Sequence, residues 1–569
     1  MDEKLYINDV LVEIPKRTVS RSLQINDFRE TKDRQSNYSN NIKIPKTYQN
    51  TEAFESLGLV GIVSRLPYET VKVKYVVNGI EMITDGKGVL KNTNDFYNLV
   101  IYDGNISLTD LLGTDTLQDL DFSSYNHNLT AGVFLSSFSN TSGYIYGLED
   151  SFDVVIENSI PSFYIHTLFD MIFTEKGWSY SGAIFSDSDY LSRVTTMDIG
   201  FDVNVTQSET EVFNTLNTST RSNTVSEKVL INSYTSTSND LYKVELNGSV
   251  AIVFGSVELS IEVNGSAQLF FTPLSNVNFN EVANVYAETG DLVEVYYNAT
   301  VETTAVTQYR FEEDFRTIIY RNEKYIPITF EDIIGNTKQI DFVKDVMQRF
   351  NLSFKKTKNE NALEFITSEE LLTDINNAED WSNLFSKKLD ESYRSSYAQD
   401  NQFKYKYEDS ENNFADGSLI VDDVNLKSEK TAVTSFFKVG GEFSYWNEEN
   451  EPEQDDLRIY KIDLNTIFLL FKFEKTDNTT SVNLDVAELD FTGLDYQTEI
   501  DNNYVAFKSF LDNYKIIIAQ VNLDSIDIYS LDFFKLKYIK QLGRYFYLNK
   551  VNGFKEGYPT KVELIQAPL

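Results

Sequence analysis

The chain contains no cysteine in 569 residues. Disulfides, thiolate nucleophiles and cysteine-ligated zinc are thereby excluded together. Histidine is almost as scarce. His127 and His166 are the only two, too few for a histidine-built metal site, and neither has an identifiable serine partner for nucleophilic catalysis. Phosphate-cradling loops of the GxxxxGK(S/T) or GxGxxG type are missing. No apolar run reaches the roughly 18 residues that a membrane-spanning helix needs. The opening MDEKLYINDVLVEI is charged and alternating and lacks the apolar stretch of a signal peptide, so the chain is expected to be made in the cytoplasm. Positive charge is also short. Against 87 Asp and Glu stand 50 Lys and Arg, a net charge of −37. Tight nucleic-acid binding works by displacing counterions with cations, so this surface repels phosphates; the charge reads first as a source of solubility and second as an acidic wall that lets DNA pass without sticking.

What the chain does have is bulk for several cores and a taste for sheet. Its length corresponds to roughly four domains. Phe and Tyr, 40 and 35 in number, favour pleated, half-buried surfaces. Alternation marks strands from the start. Val10, Val12 and Ile14 alternate with Leu11 and Glu13, and Asn8-Asp9 between two runs reads as a tight hairpin turn. SRSLQIND alternates again through Leu23 and Ile25. In DRQSNYSNNIKIPKT, residues 33–47, Ile42 and Ile44 share a face, and Pro45 ends the pairing because it has no N–H to donate. Turns are predicted at Asn78-Gly79 and Asp85-Gly86. Residues 1–105 therefore read as a small antiparallel barrel or sandwich.

Helical periodicity is clearest in SFYIHTLFDMIFTEKGW. Ile165, Leu168, Phe169, Ile172 and Phe173 fall on one face, with Gly177 placed to end the helix in a left-handed conformation. The strand WSYSG follows. The device recurs in FVKDVMQRFNLSF, where Phe342, Val343, Val346, Met347 and Phe350 share a face and Asn351 stands in for the glycine. The match is consistent with either a duplicated helix–strand unit or chance likeness of two amphipathic helices. A third helix is predicted over NAEDWSNLFSKKLDES, with Asn377 as N-cap and Trp381, Leu384, Phe385, Lys388 and Leu389 as its packed face. A further helix is predicted at VAFKSFLDNYK.

The Ser/Thr/Asn-rich stretch 206–240 reads as linker or loop. Residues 235–307 alternate almost without interruption, punctuated at Asn247-Gly248, Asn264-Gly265 and Gly290-Asp291, and read as an inserted β-sandwich of jelly-roll type. Residues 408–460 read as acidic loops, and the C-terminal YFYLNKVNGFKEGYPTKVELIQAP as a closing hairpin. The predicted division is an N-terminal barrel over 1–158, a helix–strand unit and linker over 159–234, the insert over 235–307, a second helix–strand unit with the third helix over 308–400, and a β-rich domain over 401–569. The fold class is mainly β with a few helices.

No constellation carries chemistry. His166 lies one position from a core-facing residue and His127 in a predicted loop, so both read as structural. Among so many acids, carboxylate pairs arise by chance, and no pair can be singled out for glycoside hydrolysis. EDSENNFADG and DDVNLKSE lack the spacing of a calcium loop. No catalytic, cofactor-binding or metal-binding residue is assigned, no cofactor is expected, and the chain reads as non-enzymatic. In the insert, Tyr286, Tyr296 and Tyr297 are candidates to stack on sugar rings, although tyrosines at such positions more often belong to core or sheet.

The segments DRQSNYSNNIKIPKT, LPYE, VNGIEMITDGKGVL and VIYDG, with KQIDFVKDVMQRFNLSF, DWSNLFSKKLD, QFKYKYED, LDFFKLKYIKQLGRYFYLNKVNGF and TKVELI, resemble tail proteins of phages that infect Bacteroidota. The resemblance covers most of the chain outside 235–307. It implies tail-tube-like β-barrel domains joined by helix–strand units, in a baseplate or tail-tip hub that continues the tail tube and supports DNA ejection. It further implies a virion location and a homo-oligomer, a trimer favoured over a hexamer. Its partners would be the tube, tape-measure and tip or fibre proteins, with DNA passing through the lumen and no stable membrane insertion. The alternative is a receptor-binding tail protein whose insert grips a host surface glycan.

Overall fold

A computed structural model describes the chain outside residues 1, 17–18, 25–36, 40–41, 60, 104–107, 149–152, 198, 200–203, 218–221, 224–226, 253–255, 272–276, 301–308, 358–360, 394, 408–412, 440–455 and 569. The first strands follow the alternation. Strands β1 (Glu3–Ile7) and β2 (Val10–Val12) form a hairpin on Asn8 and Asp9, both at positive φ. Short strands β3 (Arg21–Leu23) and β4 (Asn37–Ser39) come next, then β5 (Ile42–Pro45), whose Ile42 and Ile44 are fully buried within their own chain. The alternation expected around Leu23 is absent, since Arg21, Ser22, Leu23 and Gln24 are all buried; Ile25 lies outside the described residues. Helix α1 (Tyr48–Ala53) is capped by the Thr47 hydroxyl. Strands β6 (Val71–Val77), β7 (Ile80–Asn92) and β8 (Phe96–Asp103) complete this part, with Asn78-Gly79 as the β6–β7 turn.

The turn predicted at Asp85-Gly86 is instead the interior of β7. A Cβ on Gly86 would lie 2.6 Å from the Ile83 side chain, and one on Gly88 2.7 Å from Val71. These glycines allow close side-chain approach across a bulged pair.

Helix α2 (Ile165–Thr174) buries the five predicted residues, and Gly177 adopts a φ of 70°. Eight strands follow as a jelly roll: β9 (Thr206–Asn217), β10 (Glu227–Thr235), β11 (Asp240–Ile252), β12 (Ser256–Val263), β13 (Ser266–Phe271), β14 (Val277–Ala287), β15 (Leu292–Thr300) and β16 (Tyr309–Ile328). One sheet runs β9-β16-β11-β14 and the other β10-β15-β12-β13. The insert thus extends beyond 235–307 on both sides, and the predicted linker supplies two of its strands. In β9, Thr206 to Thr210 are polar and exposed, so no apolar face advertises the strand. Asn264-Gly265 and Gly290 are turns. Asn247-Gly248 is not. It sits inside β11, where a Cβ on Gly248 would come 2.9 Å from Phe279.

Helix α3 (Gln339–Arg349) buries Phe342, Val343, Val346 and Met347, and Asn351 takes a φ of 49° as predicted. The two helix–strand units meet around a common strand, Ala362–Thr367. It pairs parallel with Ser179–Ser181 and antiparallel with Leu352–Lys356. The third predicted helix does not form. Trp381 is buried, but Phe385–Ser392 is a bulged strand, β17, and Asn377 caps nothing. Pairing with a neighbouring strand overrides the local helical pattern there. Strands Gly417–Ile420 and Glu429–Lys438 occupy part of the predicted acidic loops, while 446–455 lie outside the described residues. A long hairpin, β18 (Ile459–Lys472) with β19 (Thr480–Asp490), leads to helices α4 (Tyr496–Asn503) and α5 (Val505–Asp512). The chain closes with β20 (Ile516–Val521), β21 (Arg544–Phe554) and β22 (Thr560–Gln566), the last two forming the predicted hairpin.

The fold is mainly β with a few helices, and its sheets curl as half-barrels. The predicted N-terminal and C-terminal domains are not separate. A single sheet path runs β2-β1-β6-β7-β8-β4-β3-β21-β22-β20-β17. Leu5, Ile7, Ile42, Ile44 and Tyr97 share one core with Phe546, Leu548, Val551, Val562 and Leu564. Strands more than 400 residues apart in sequence carry no local signal of their pairing, which is why chain order gave the wrong boundaries.

Candidate interaction surfaces

The two histidines are structural in their contacts. His127 lies in a short strand paired with Ile328 rather than in a loop. Its Nδ1 is 2.7 Å from the Tyr125 carbonyl, its Nε2 is 2.9 Å from the Tyr146 hydroxyl, and its ring stacks on Tyr144 at 4.2 Å. Burial lowers the pKa of both His127 and His166, which favours the neutral rings. Among the described residues no three His, Asp or Glu side chains are grouped to hold a metal. In the two stretches weighed for calcium, Asp416 accepts from the Tyr405 N–H and the Tyr407 hydroxyl, and Asp423 accepts from Asn425.

A buried charge network went unnoticed in the sequence. Arg193 donates to Glu499 at 2.6 Å and to Asp189, and it stacks on Phe350. Arg349 donates to Asp345 at 2.5 Å and to the Tyr405 hydroxyl at 2.6 Å. The available signals were Asp345 four residues before Arg349 and Asp189 four residues before Arg193. Burial works against ionisation of Asp189, but Arg193 and Lys461 hold its carboxyl below the ordinary range. Each of these charges faces a protein partner.

A cleft of about 600 Å³ lies over the β17 end of the long sheet. Buried Leu511, Ile517 and Phe546 line it together with Leu542. Glu391 sits between Lys388 and Lys515, the latter at 2.5 Å, and accepts from the Tyr393 hydroxyl. The hydrogen bonds from Lys388, Lys515 and Tyr393 pull the Glu391 pKa down to about 2. That is the reverse of the raised pKa that a general acid needs. Arg544, on the same lining, pairs with no carboxylate among the described residues.

At the other end of the sheet, residues 48–59 and 61–69 form a structured projection beside β2. Asn50, fully buried, accepts from the Glu13 N–H and donates to the Glu13 and Pro45 carbonyls. Phe54 stacks on Tyr97 at 4.2 Å, and Gln49 donates to the Leu11 carbonyl. From this anchored base the three most exposed large apolar side chains among the described residues project: Val63 at 97%, Tyr48 at 89% and Tyr68 at 88%. Leu59 and Ile62 are exposed as well.

The insert tyrosines separate. Tyr297 is in the jelly-roll core and Tyr286 packs on Phe471 of the body. Only Tyr296 points from the outer face of its sheet. Lys228 covers its ring at 4.2 Å, and Glu262, Asn298 and Ser260 lie nearby. The jelly roll is firmly mounted. Lys324 of β16 bonds Glu474 and Asp477 in the β18–β19 turn, and Gly132 packs against the Asn239 backbone.

No family model matches the chain, and no curated protein is similar to it in sequence. Among solved structures, a 43 kDa tail protein of prophage MuSo2 from Shewanella oneidensis overlaps all of this chain and 97% of its own, at 7% identity and a TM-score of 0.34. A CBM36-1 domain of a multidomain xylanase from the hindgut metagenome of Trinervitermes trinervoides overlaps 20% of this chain and 96% of its own, at 12% identity and a TM-score of 0.14. A CBM35 from Paenibacillus barcinonensis overlaps 20% and 97%, at 17% identity and a TM-score of 0.13. Overlaps this slight establish neither kinship nor function.

Proposed function

We propose that the chain is a structural protein of a phage tail, a homotrimeric hub in the tail tip or baseplate that continues the tail tube and supports DNA ejection. The observation that carries this reading is the long sheet. Both chain ends build it, its path ends in β2 and β17, and neither of these strands has a second partner among the described residues. An open sheet edge is a place where a strand of another chain can pair. One of the segments resembling Bacteroidota-phage tail proteins, DWSNLFSKKLD, covers most of β17. A net charge of −37 suits a wall along which DNA slides. Antibody labelling of purified particles, with native mass spectrometry of the purified chain, tests it. Label on the tail axis and a trimer mass are expected; absence of the chain from particles would overturn the reading.

A second reading, a receptor-binding tail protein, draws support from Tyr296, whose outward face is bordered by amide, hydroxyl and carboxylate groups. A sugar stacking there has to displace the Lys228 ammonium. Glycan-array binding by the full chain that Tyr296→Ala abolishes is its signature, and an array without hits removes it.

A further inference from the structure

The projection beside β2 ends in a tip of one-sided composition. Residues 57–63, LGLVGIV, carry no polar side chain. Leu59, Ile62 and Val63 are exposed on it, Val63 more than any other large apolar residue described. Tyr48 and Tyr68 flank the stretch in the chain and stand almost wholly in water, as does the Arg65 side chain. We propose that this tip is a lipid-binding loop that dips reversibly into the interface of a bilayer. Its aliphatic side chains enter the acyl region, and Tyr48, Tyr68 and Arg65 remain at headgroup level. Such a contact lies in the membrane surface and spans nothing. It goes beyond the tail reading and does not depend on it.

Three observations favour lipid over a protein partner. First, the tip's side chains offer nothing to hydrogen-bond. Specific protein contacts carry about one hydrogen bond per 100–200 Å², whereas residues 57–63 supply neither a side-chain donor nor an acceptor. Acyl chains require none. Second, the loop backbone is bonded to itself. The Leu57 N–H donates to the Phe54 carbonyl at 2.9 Å, the Leu59 N–H to Ser56 at 3.2 Å and the Ile62 N–H to Leu59 at 3.3 Å. An unpaired amide is costly to take out of water, and these successive turns pair their amides beforehand. Gly58 and Gly61, at φ of 91° and 90°, permit the turns. Third, the nearby charges are engaged behind the tip. Glu55 accepts from the Ser64 hydroxyl at 2.8 Å, and Arg65 pairs with Glu69 at 3.0 Å. Tyrosine and arginine suit the boundary, since each has an apolar body and a wet end. The base holds the loop in shape through Asn50 and Phe54, and Gly58 packs so closely that a Cβ there would lie 3.0 Å from the Lys46 ammonium. A preformed loop loses little freedom on binding. A few aliphatic side chains give a weak, reversible contact on one copy, and several copies in one assembly multiply it.

The test exploits the missing cysteine, because a single introduced thiol takes a polarity-sensitive fluorophore without background. Val63→Cys reports on the tip, and Val424→Cys, at an 83% exposed position outside the projection, is the control. The labelled full-length chains are mixed with phosphatidylcholine vesicles. A blue shift with brighter emission is expected at 63 and none at 424. In flotation with the same vesicles, unlabelled Val63→Asp should bind about tenfold more weakly than the wild type, with circular dichroism and a thermal melt matching the wild type. No shift at 63, an equal shift at 424, or undiminished flotation of folded Val63→Asp overturns the lipid contact. A shift at 63 that grows with protein concentration in the absence of vesicles assigns the tip to a protein contact and overturns it as well. Each of these outcomes leaves the tail reading standing, since that is decided by labelling of particles.

Discussion

Glu499 lies between two arginines, with Arg193 Nη1 at 2.6 Å and Arg349 Nη1 at 3.5 Å from its Oε1 atom. The three side chains are almost wholly buried and come from segments around residues 193, 349 and 499. The carboxylate therefore fixes the two helix–strand units against helix α4. Replacing Glu499 with Gln leaves Arg193 with Asp189 and Arg349 with Asp345 but takes one negative charge out of the buried cluster, which is costly. Glu499→Gln should lose about 3 kcal/mol of unfolding free energy, read from urea denaturation.

Lys324 joins the jelly roll to the body through Glu474 and Asp477. Lys324→Met removes the ammonium and leaves two partly exposed acids facing each other. The expected cost is about 1–3 kcal/mol, concentrated at the joint. Limited proteolysis should show faster cutting in the 473–479 turn, with the rest of the chain unchanged. Equal cutting in the two proteins would show that the apolar contacts of Tyr286 with Phe471 already hold the joint.

Gly132 offers a steric check on the same joint. A Cβ there would sit 2.2 Å from the Asn239 carbonyl oxygen, too close for any real contact. Gly132→Ala should move the jelly roll or the Ala131–Ser137 helix and cost about 1–3 kcal/mol. A lower melting temperature, together with small-angle scattering that differs from the wild type, is the expected pair of results.

Asp240 supplies a pH dependence. Burial, reinforced by Glu323 and opposed by the Leu241 N–H and Arg321, pushes its carboxyl up to about 6 from 3.8. The folded state then holds this proton more tightly than the unfolded chain does. Its contribution is most favourable below pH 4 and is lost as the pH rises from about 4 to about 6, a change of roughly 3 kcal/mol. Asp240→Asn keeps an oxygen for the Leu241 N–H and removes the titration. The variant should gain on the wild type in melting temperature across that window and hold a constant lead above it. A gap independent of pH would refute the assignment.

Periodic apolar faces were legible from sequence wherever one side of an element meets a core. Helices α2 and α3, their left-handed terminators Gly177 and Asn351, and the hairpins at Asn8-Asp9 and Asn264-Gly265 all rest on local backbone preference. Where local preference is weak, the reading failed. The polar strand β9 has no buried face to betray it. Gly86 and Gly248 look like turn residues but are small because neighbouring side chains press on them. The stretch through Trp381 has a helical pattern, yet it pairs with β20 as an edge strand. The projection at 48–69 was unreadable for another reason: Val63 and Tyr68 look like core residues until the fold leaves them outside.

The sequence by itself determined the mainly-β character, the identity of the long helices and the absence of cysteine chemistry, because composition and short-range periodicity act on neighbouring residues. Only the tertiary structure decided that β3 pairs with β21, that Glu499 meets Arg193 and Arg349, and that an apolar projection and a cleft lie at opposite ends of one sheet. Those relations join residues hundreds of positions apart, and such closures leave no trace in local pattern because their energy is gained only when the whole core assembles.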